Sequence, residues 1–308
     1  MPLQARRFEK NLQMKRGYSM RLGNVTLHVV SDGTYWEDGG RLFGLVPKAL
    51  WEHVARPDEQ NRLPFDLRCL LIDTGEQRIL VDTGYGDKLS EKERKAINLA
   101  GERRLLRSLE KLGIGPSDVD LVINTHLHGD CCGGNTRYDE TGKLTPTFPR
   151  ATYCVQRLEL ADASFPNERT RAAYHAENFS PLEEADRLRA LSGDTCLTDQ
   201  VRVVVAPGHT RGHQCVVVEG GGQMAMFLGN MASWPVHLEK LAWVPAYDVE
   251  PLVSIETKRN LARWAIKNHV LLIFEHHPEI VAGFLHPTER PDRFRLEPVD
   301  MEGLESLS

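Results

Sequence analysis

Hydrophobic and polar residues alternate over short runs in the first third of the chain, which is the pattern of half-buried β-strands. The run VTLHVVSDG begins at Val25, alternates, and reaches a glycine at which we expect the strand to stop. The runs LRCLLIDTG and RILVDTG follow, separated only by Glu76 and Gln77, and this spacing predicts a β-hairpin. The folded body is therefore expected to begin with a set of short strands.

Two other segments carry the spacing of helices. Between residues 102 and 112 the leucines fall on one helical face, and two glycines and a proline follow directly. The segment from residue 248 to 269 has Pro251 in its first turn, a position that proline favours in helices. We expect a helix in each segment.

Polar residues of metal-ligand type recur where a hydrophobic run ends. The runs concerned are DLVIN, VRVVV, MAMFLG and VLLIFE, and each reads as a buried strand. Strands and helices in both halves of the chain indicate two sheets covered by helices on the outside. The residues that follow these runs are His126 and His128, then His209, Asn230 and His276.

Length and composition describe an ordinary globular chain. Its 308 residues are 41% apolar and 26% charged, which suits one large α/β domain. We expect a polar N-terminal arm over residues 1–20 and a single domain over residues 21–308. The net charge of −5 provides no basic surface for nucleic acid, so a small molecule is the expected partner.

The N-terminus and the cysteines bear on location. The first twenty residues have positive charges but no apolar core, so they do not predict a secretory signal, and no run is long enough to cross a membrane. The six cysteines are scattered without a CxxC pair, which argues against a disulfide scaffold. We predict a cytoplasmic protein with buried thiols, among which Cys131 stands inside a candidate metal motif.

The strongest chemical signal is a cluster of histidines. Zinc binds imidazole, carboxylate and thiolate groups, and catalytic zinc sites keep one position open. His126 and His128 stand two residues apart at the end of a strand, and Asp130 follows two residues later. An HxH pair alone is weak support for a metal, but the string HLHGDCCGG together with the distant PGHTRGH is much stronger.

These motifs resemble those of the metallo-β-lactamase superfamily, in the same order, from residue 25 to about residue 283. ILVDTG carries Asp82, THLHGD carries the paired histidines, and APGHT carries His209. FLGN ends where the family offers a bridging aspartate, and FEHH supplies His276. The resemblance implies an α/β fold, an αββα sandwich of two mixed sheets with outer helices, and Asp82 beneath metals bound between the sheet edges.

Three departures from the family pattern change the expected site. The family signature HxHxDH ends here in Cys131, Asn230 replaces the bridging aspartate, and His277 replaces an aspartate that often follows the last histidine. Two divalent cations repel each other strongly without an anionic bridge. We therefore expect one catalytic zinc rather than two, with Asn230 as a weak oxygen ligand or an orienting group. The expected zinc ligands are His126, His128 and His209.

With one metal, Asp130 is free to act as a general base on the water that zinc makes acidic, and its carboxylate is also a candidate metal ligand. His276 would hold Asp130, contact the substrate or take up a proton. Cys131 has two interpretations: a small buried thiol, or a thiolate ligand that joins Asp130 and His276 in an alternative site.

Aromatic residues suggest a flat substrate. Trp36, Phe43 and Trp51 lie in an N-terminal insert, and Trp234 and Trp243 follow the Asn230 strand in loops that border the cleft in the family. Tryptophans more often pack than bind substrate. Trp234 and Trp243 are nevertheless the predicted substrate-binding residues, since several large rings suit an apolar or aromatic ligand.

Cys131 and Asn230 make the motifs similar to those of the chlorothalonil-hydrolysing dehalogenases of this superfamily. The resemblance implies a homodimeric zinc enzyme that replaces a ring chlorine of a chlorinated aromatic nitrile by hydroxyl. Chloride leaves as a stable anion, so this reaction tolerates a weakened second metal position better than amide hydrolysis does.

Two alternatives stay open. One is a dinuclear-metal lactonase or organophosphate or ester hydrolase of the same fold, in which Cys131 and Asn230 still bind metal. The other is a non-catalytic binding protein with a decayed site. The retained histidines and Asp130 argue against decay, and metal content would separate the two enzyme hypotheses.

Overall fold

Two β-sheets packed face to face form the centre of the molecule. The computed structural model describes residues 18–99 and 104–299. In this part of the chain the strands are β1 (Tyr18–Leu22), β2 (Val25–Asp38), β3 (Arg62–Asp73), β4 (Arg78–Val81), β5 (Leu121–Ile123), β6 (Thr136–Tyr138), β7 (Leu144–Pro146), β8 (Thr152–Gln156), β9 (Leu188–Leu191), β10 (Thr195–Cys196), β11 (Val201–Val205), β12 (Gln214–Gly220), β13 (Gln223–Phe227), β14 (Leu271–Ile273), β15 (Ala282–Pro287) and β16 (Phe294–Val299).

Each large sheet mixes parallel and antiparallel pairs. The first has the order β1-β2-β3-β4-β5-β8-β9 and becomes parallel from β4 onward. The second has the order β10-β11-β12-β13-β14-β15-β16, with one parallel pair, β13 and β14. Their facing surfaces share one buried core, to which Ile72 and Val81 contribute from the first sheet and Val216 and Phe227 from the second.

Helices cover the outer faces of both sheets. Those in the described residues are α1 (Gly39–Phe43), α2 (Lys48–Trp51), α3 (Glu91–Ala96), α4 (Arg104–Lys111), α5 (Gly129–Cys132), α6 (Arg157–Ser164), α7 (Ser180–Glu184), α8 (Val236–Glu239) and α9 (Pro251–Lys267). Leu105 and Leu109 of α4 pack against β3 and β4, whereas Leu261 and Ala262 of α9 pack against β14. The αββα sandwich and the α/β fold class predicted from the sequence are confirmed.

The predicted elements lie close to the observed ones. The hairpin of β3 and β4 pairs Asp73 with Arg78, and the two predicted helices correspond to α4 and α9. Of the predicted N-terminal arm, residues 1–17 lie outside the described residues, and residues 18–20 belong to β1. No helix of the described chain is long and apolar enough to span a membrane.

The expected end of β2 at Gly33 is wrong. The strand continues to Asp38, and its register against β3 shifts between Ser31 and Thr34. Gly33 has a φ of 128°, a backbone conformation that side chains disfavour, so the glycine makes a β-bulge rather than a stop. The continued strand carries Tyr35 toward the candidate site.

Candidate metal centre

The three histidines predicted to bind zinc come together in the structure. His126 and His128 follow β5, and His209 follows β11, so both sheets contribute ligands. Nε2 of His209 lies 3.1 Å from Nε2 of His126 and 3.0 Å from Nδ1 of His128. All three side chains are buried or nearly so. Three ring nitrogens therefore point at one small volume between the sheets.

The loop that carries His126 is fixed from below by Asp82. The carboxylate of Asp82 accepts hydrogen bonds from the backbone N–H of Thr125 at 2.8 Å and from its hydroxyl at 2.7 Å. Asp82 itself has a φ of 56°, which turns the chain sharply after β4. Asp82 thus holds Thr125, the residue directly before His126, in place.

In His126 and in His209, a neighbouring oxygen determines which of the two ring nitrogens carries the proton. Because the Thr125 hydroxyl donates to Asp82, its oxygen accepts from Nδ1–H of His126 at 3.0 Å. The carboxylate of Asp248 accepts from Nδ1–H of His209 at 3.1 Å. With Nδ1–H donated in this way, the Nε2 atom of each ring is the one that faces the shared volume.

The residues present fit a zinc ion. Lone pairs about 3 Å apart repel each other, and a cation between them removes the repulsion, which is the arrangement of a three-histidine zinc site. Burial, followed by the charge of the neighbouring histidines, holds the pKa of His126 and of His128 well below the usual range. Both rings therefore stay neutral, as metal ligands must.

Asp248 was missed by the sequence analysis, which placed it only at the start of a helix. It is 1% exposed and its second oxygen accepts from the Ser254 hydroxyl at 2.7 Å. A carboxylate that holds the far nitrogen of a ligating histidine orients the ring and raises its basicity. The only sequence signal for this role is an aspartate shortly before the proline-led helix α9.

Asp130 lies at the edge of the three-histidine position. One of its carboxylate oxygens is within 4.8 Å of a ring nitrogen of His126, and its side chain is 14% exposed. The Tyr35 hydroxyl donates to Oδ2 at 3.2 Å, and Nε2 of His276 stands 3.8 Å from the same atom. Asp130 is thus held by two neighbours and remains accessible from the cleft.

Asn230 and His276 contact each other directly. Nδ1–H of His276 donates to the carbonyl of Asp66 at 2.8 Å, so Nε2 of the neutral ring carries a lone pair. This Nε2 lies 2.5 Å from Oδ1 of Asn230, which is also an acceptor. An amide rotated by 180° donates its N–H to Nε2, which makes this contact a hydrogen bond.

Cys131 is buried and faces Glu275, a residue that the sequence analysis missed. Sγ of Cys131 donates to Oε1 of Glu275 at 3.3 Å, and Glu275 is only 1% exposed. Burial, reinforced by Asp82 and Asp130, raises the pKa of Glu275 well above its usual range, and burial raises that of Asp82 to about 8. The floor of the site is therefore rich in acidic groups.

The aromatic residues predicted near the cleft mostly pack inside the protein. Trp234 is 4% exposed, and its Nε1–H donates to the carbonyl of His276 at 3.2 Å. Phe43 stacks on Trp51 with ring centroids 4.9 Å apart and meets the half-buried Trp243 edge-on at 5.7 Å. Trp234 therefore supports the His276 loop from behind, and substrate contact by Trp243 stays a prediction.

Comparisons with known proteins agree with this architecture. Residues 64–231 match the family model of the Metallo-beta-lactamase superfamily. An N-acyl homoserine lactonase from Bacillus sp is 26% identical over 242 residues, which cover 74% of this chain and 86% of that protein.

Solved structures show the same fold. A probable metal-dependent hydrolase from Staphylococcus aureus superposes with a TM-score of 0.81 at 26% identity, over 91% of this chain and 99% of that one. AidC, a dizinc quorum-quenching lactonase in complex with a product, superposes with a TM-score of 0.76 at 20% identity, over 92% and 97% of the two chains.

Proposed function

Because the chain belongs to the metallo-beta-lactamase superfamily, we propose that it is a zinc-dependent hydrolase of lactones or related esters. The observation that carries the proposal is the convergence of the ring nitrogens of His126, His128 and His209 between the sheets. One relative, which matches 74% of this chain, is an N-acyl homoserine lactonase, and this favours a lactone over the other substrates that this fold accepts.

A zinc ion held by these histidines supplies Lewis acidity, which polarises a carbonyl and makes a water molecule acidic near neutral pH. In this proposal Asp130, whose carboxylate lies within 4.8 Å of a ring nitrogen of His126, takes the proton of that water as the oxygen attacks the carbonyl carbon. The ester C–O bond then breaks, and the proton returns from Asp130 to the leaving oxygen. The product is a hydroxy acid, and Asp130 ends in its starting state.

Tyr35 positions this base. Its hydroxyl donates to Asp130 and so leaves the other carboxylate oxygen free for the proton. His276 approaches the same oxygen as Tyr35, at 3.8 Å. Two neighbours on one side fix the direction in which Asp130 accepts a proton.

Dehalogenation of a chlorinated aromatic nitrile, the main prediction from the sequence, gains no support from the relatives, which are lactonases. The neutral amide of Asn230 in place of a bridging aspartate is the observation that keeps it as the second candidate. The expectation of a single catalytic zinc rests on the same residue. The proposal itself requires only the three-histidine position.

A substrate panel tests the proposal. Purified protein is incubated with an N-acyl homoserine lactone, a phosphotriester and a chlorinated aromatic nitrile, and the release of acid and of chloride is measured. We expect the lactone to be opened fastest. His209→Ala should lose zinc and activity together, whereas the exposed His53→Ala should lose neither. Chloride release as the dominant activity, or full turnover in metal-free protein, would refute the proposal.

A further inference from the structure

We infer that Glu159, in the first turn of α6, is a positioning residue for the three zinc ligands and holds both loops that carry them. Its side chain is wholly buried, and its two oxygens accept three hydrogen bonds. No donor is itself a ligand, but each one lies beside a ligand. The inference rests on the three-histidine position of the proposed function and adds to it a residue that no metal motif of the sequence contains.

On the side of the first sheet, Glu159 holds the short loop that contains His126 and His128. Its Oε1 accepts from the backbone N–H of Leu127 at 3.0 Å, and Leu127 is the single residue between the two ligands. A displacement of Leu127 would therefore move both histidine rings at once.

The same oxygen supports His128 a second time, through Tyr174. The Tyr174 hydroxyl donates to Oε1 at 3.0 Å, and the Tyr174 ring lies against the His128 ring with centroids 4.8 Å apart. Nε2 of His128 is buried and has no hydrogen-bond partner among the described residues, whereas the far nitrogens of His126 and His209 are both hydrogen-bonded. The orientation of the His128 ring therefore depends on packing, which Tyr174 provides.

On the side of the second sheet, the other oxygen of Glu159 holds the loop after β11. Oε2 accepts from the hydroxyl of Thr210, the residue that follows His209, at 2.5 Å. Gly212 allows α6 to come this close, because a Cβ at that position would lie 2.3 Å from the backbone nitrogen of Glu159. The loop needs a glycine there for the carboxylate to reach Thr210.

One carboxylate thus joins the two loops whose histidines converge. Because Oε1 is bound to one loop and Oε2 to the other, the fixed width of the carboxylate group sets the distance between the loops. Hydrogen bonds to an ionised oxygen are stronger than those between neutral groups. Removing a group that orients metal ligands from behind typically weakens metal binding by about 10- to 100-fold.

Zinc affinity, measured by competition with a chelator, tests the inference. We expect Glu159→Ala to bind Zn²⁺ about 10- to 100-fold more weakly than the wild type. Glu159→Gln should recover part of this loss, because the amide keeps an acceptor oxygen and the volume of the side chain. Thr210→Val, which is nearly isosteric and removes only the Oε2 contact, should weaken Zn²⁺ by a smaller factor and serves if Glu159→Ala does not fold.

The visible absorption of bound Co²⁺ adds a readout of ligand geometry, which a change in stability alone does not alter. The spectrum should change in Glu159→Ala and in Tyr174→Phe and return toward that of the wild type in Glu159→Gln. Tyr153→Phe is the matched control, since it removes a buried tyrosine hydroxyl whose partners, Phe148 and Asn135, lie in other loops. This control should lower the melting temperature of the metal-free protein and leave the zinc affinity and the Co²⁺ spectrum unchanged.

The wild type separates this inference from the proposed function. A wild type that binds no Zn²⁺ would overturn both. A wild type that binds Zn²⁺, with Thr210→Val and the folded Glu159 variants equal to it in affinity and in Co²⁺ spectrum, would overturn this inference alone, and Glu159 would then only stabilise the fold.

Discussion

The Asp130 side chain is partly exposed and is also held in place by contacts with Tyr35 and His276. His126, His209 and His276 are at most 1% exposed, whereas the Asp130 side chain keeps 14% of its surface open. A base must meet its proton donor, so this exposure matters as much as distance does. Tyr35 donates to one oxygen of the carboxylate and leaves the other one for the reaction.

Replacing Asp130 with asparagine should therefore lower turnover without removing the metal. The shape and the hydrogen bond from Tyr35 are kept, but the amide cannot accept the proton, so the rate should fall by about 10²–10⁴. Turnover and zinc content are measured on the same samples, with the exposed Asp199→Asn as the control. Parallel loss of zinc and activity would instead make Asp130 a metal ligand.

Sequence reasoning reached the residues of the site that stand inside motifs. His126, His128 and His209 were predicted because strand ends deliver them in a recurring pattern, and the structure brings them together. Asp248 and Glu275 were missed. Both act through contacts across the fold, and a single buried carboxylate has no periodicity or spacing that marks its partner.

At the scale of elements, the lengths of strands were the least predictable feature. Gly33 suggested the end of β2, yet the chain uses its φ of 128° to make a bulge and continue. The hydrogen bonds to β3 on both sides of the bulge outweigh the local preference of a glycine for a turn. This continuation decides where Tyr35 lies, so the supporting contact to Asp130 could not be foreseen.

The bulge is tied to two other elements through Asp32. Its carboxylate accepts from the backbone N–H of Leu105 in the first turn of α4 at 3.0 Å and from that of Gly86 at 3.0 Å. Burial raises the pKa of Asp32 from 3.8 to about 7, and the two hydrogen bonds only partly oppose this rise. Folding therefore favours the protonated acid.

The free energy of unfolding should fall as the pH rises, because the folded state holds the Asp32 proton more tightly than the unfolded chain does. The contribution of Asp32 to stability is complete below pH 3.8 and is lost as the pH rises through about 7. Asp32→Asn cannot titrate, so its free energy of unfolding should fall less over this window, by on the order of 4 kcal/mol. Urea unfolding from pH 4 to 8 measures the difference, with Asp199→Asn as control. Parallel curves would contradict the assignment.

At the scale of the whole molecule, the candidate metal centre depends on contacts that hold the two sheets together. The guanidinium of Arg68, on β3 of the first sheet, donates to the Phe274 carbonyl at 3.3 Å and also to that of His277, in the loop after β14 of the second sheet. The contact between the two sheets was predictable from the sequence, because the order of the motifs matches a family whose fold is an αββα sandwich. The role of Arg68 was not predictable, because its partners are backbone carbonyls, which no sequence motif marks.

The predicted homodimer stays a prediction. Three large apolar side chains are strongly exposed in the structure: Leu45 at 102%, Phe165 at 88% and Leu252 at 78%. Scattered apolar residues are common on monomers, so they favour no particular association.

The three-histidine position joins residues that stand 83 apart in sequence and belong to different sheets, as His126 and His209 do. An ion held there ties the two halves of the fold as a cross-link would, and its binding energy becomes part of the folding equilibrium. At free zinc 1,000-fold above the dissociation constant the gain is about 4 kcal/mol. Chelation should therefore lower the melting temperature and speed amide exchange in the loops after β5 and β11. His128→Ala should show a smaller zinc-dependent rise in melting temperature than the wild type, and a wild type whose melting temperature does not respond to zinc would show that the sheets hold together unaided.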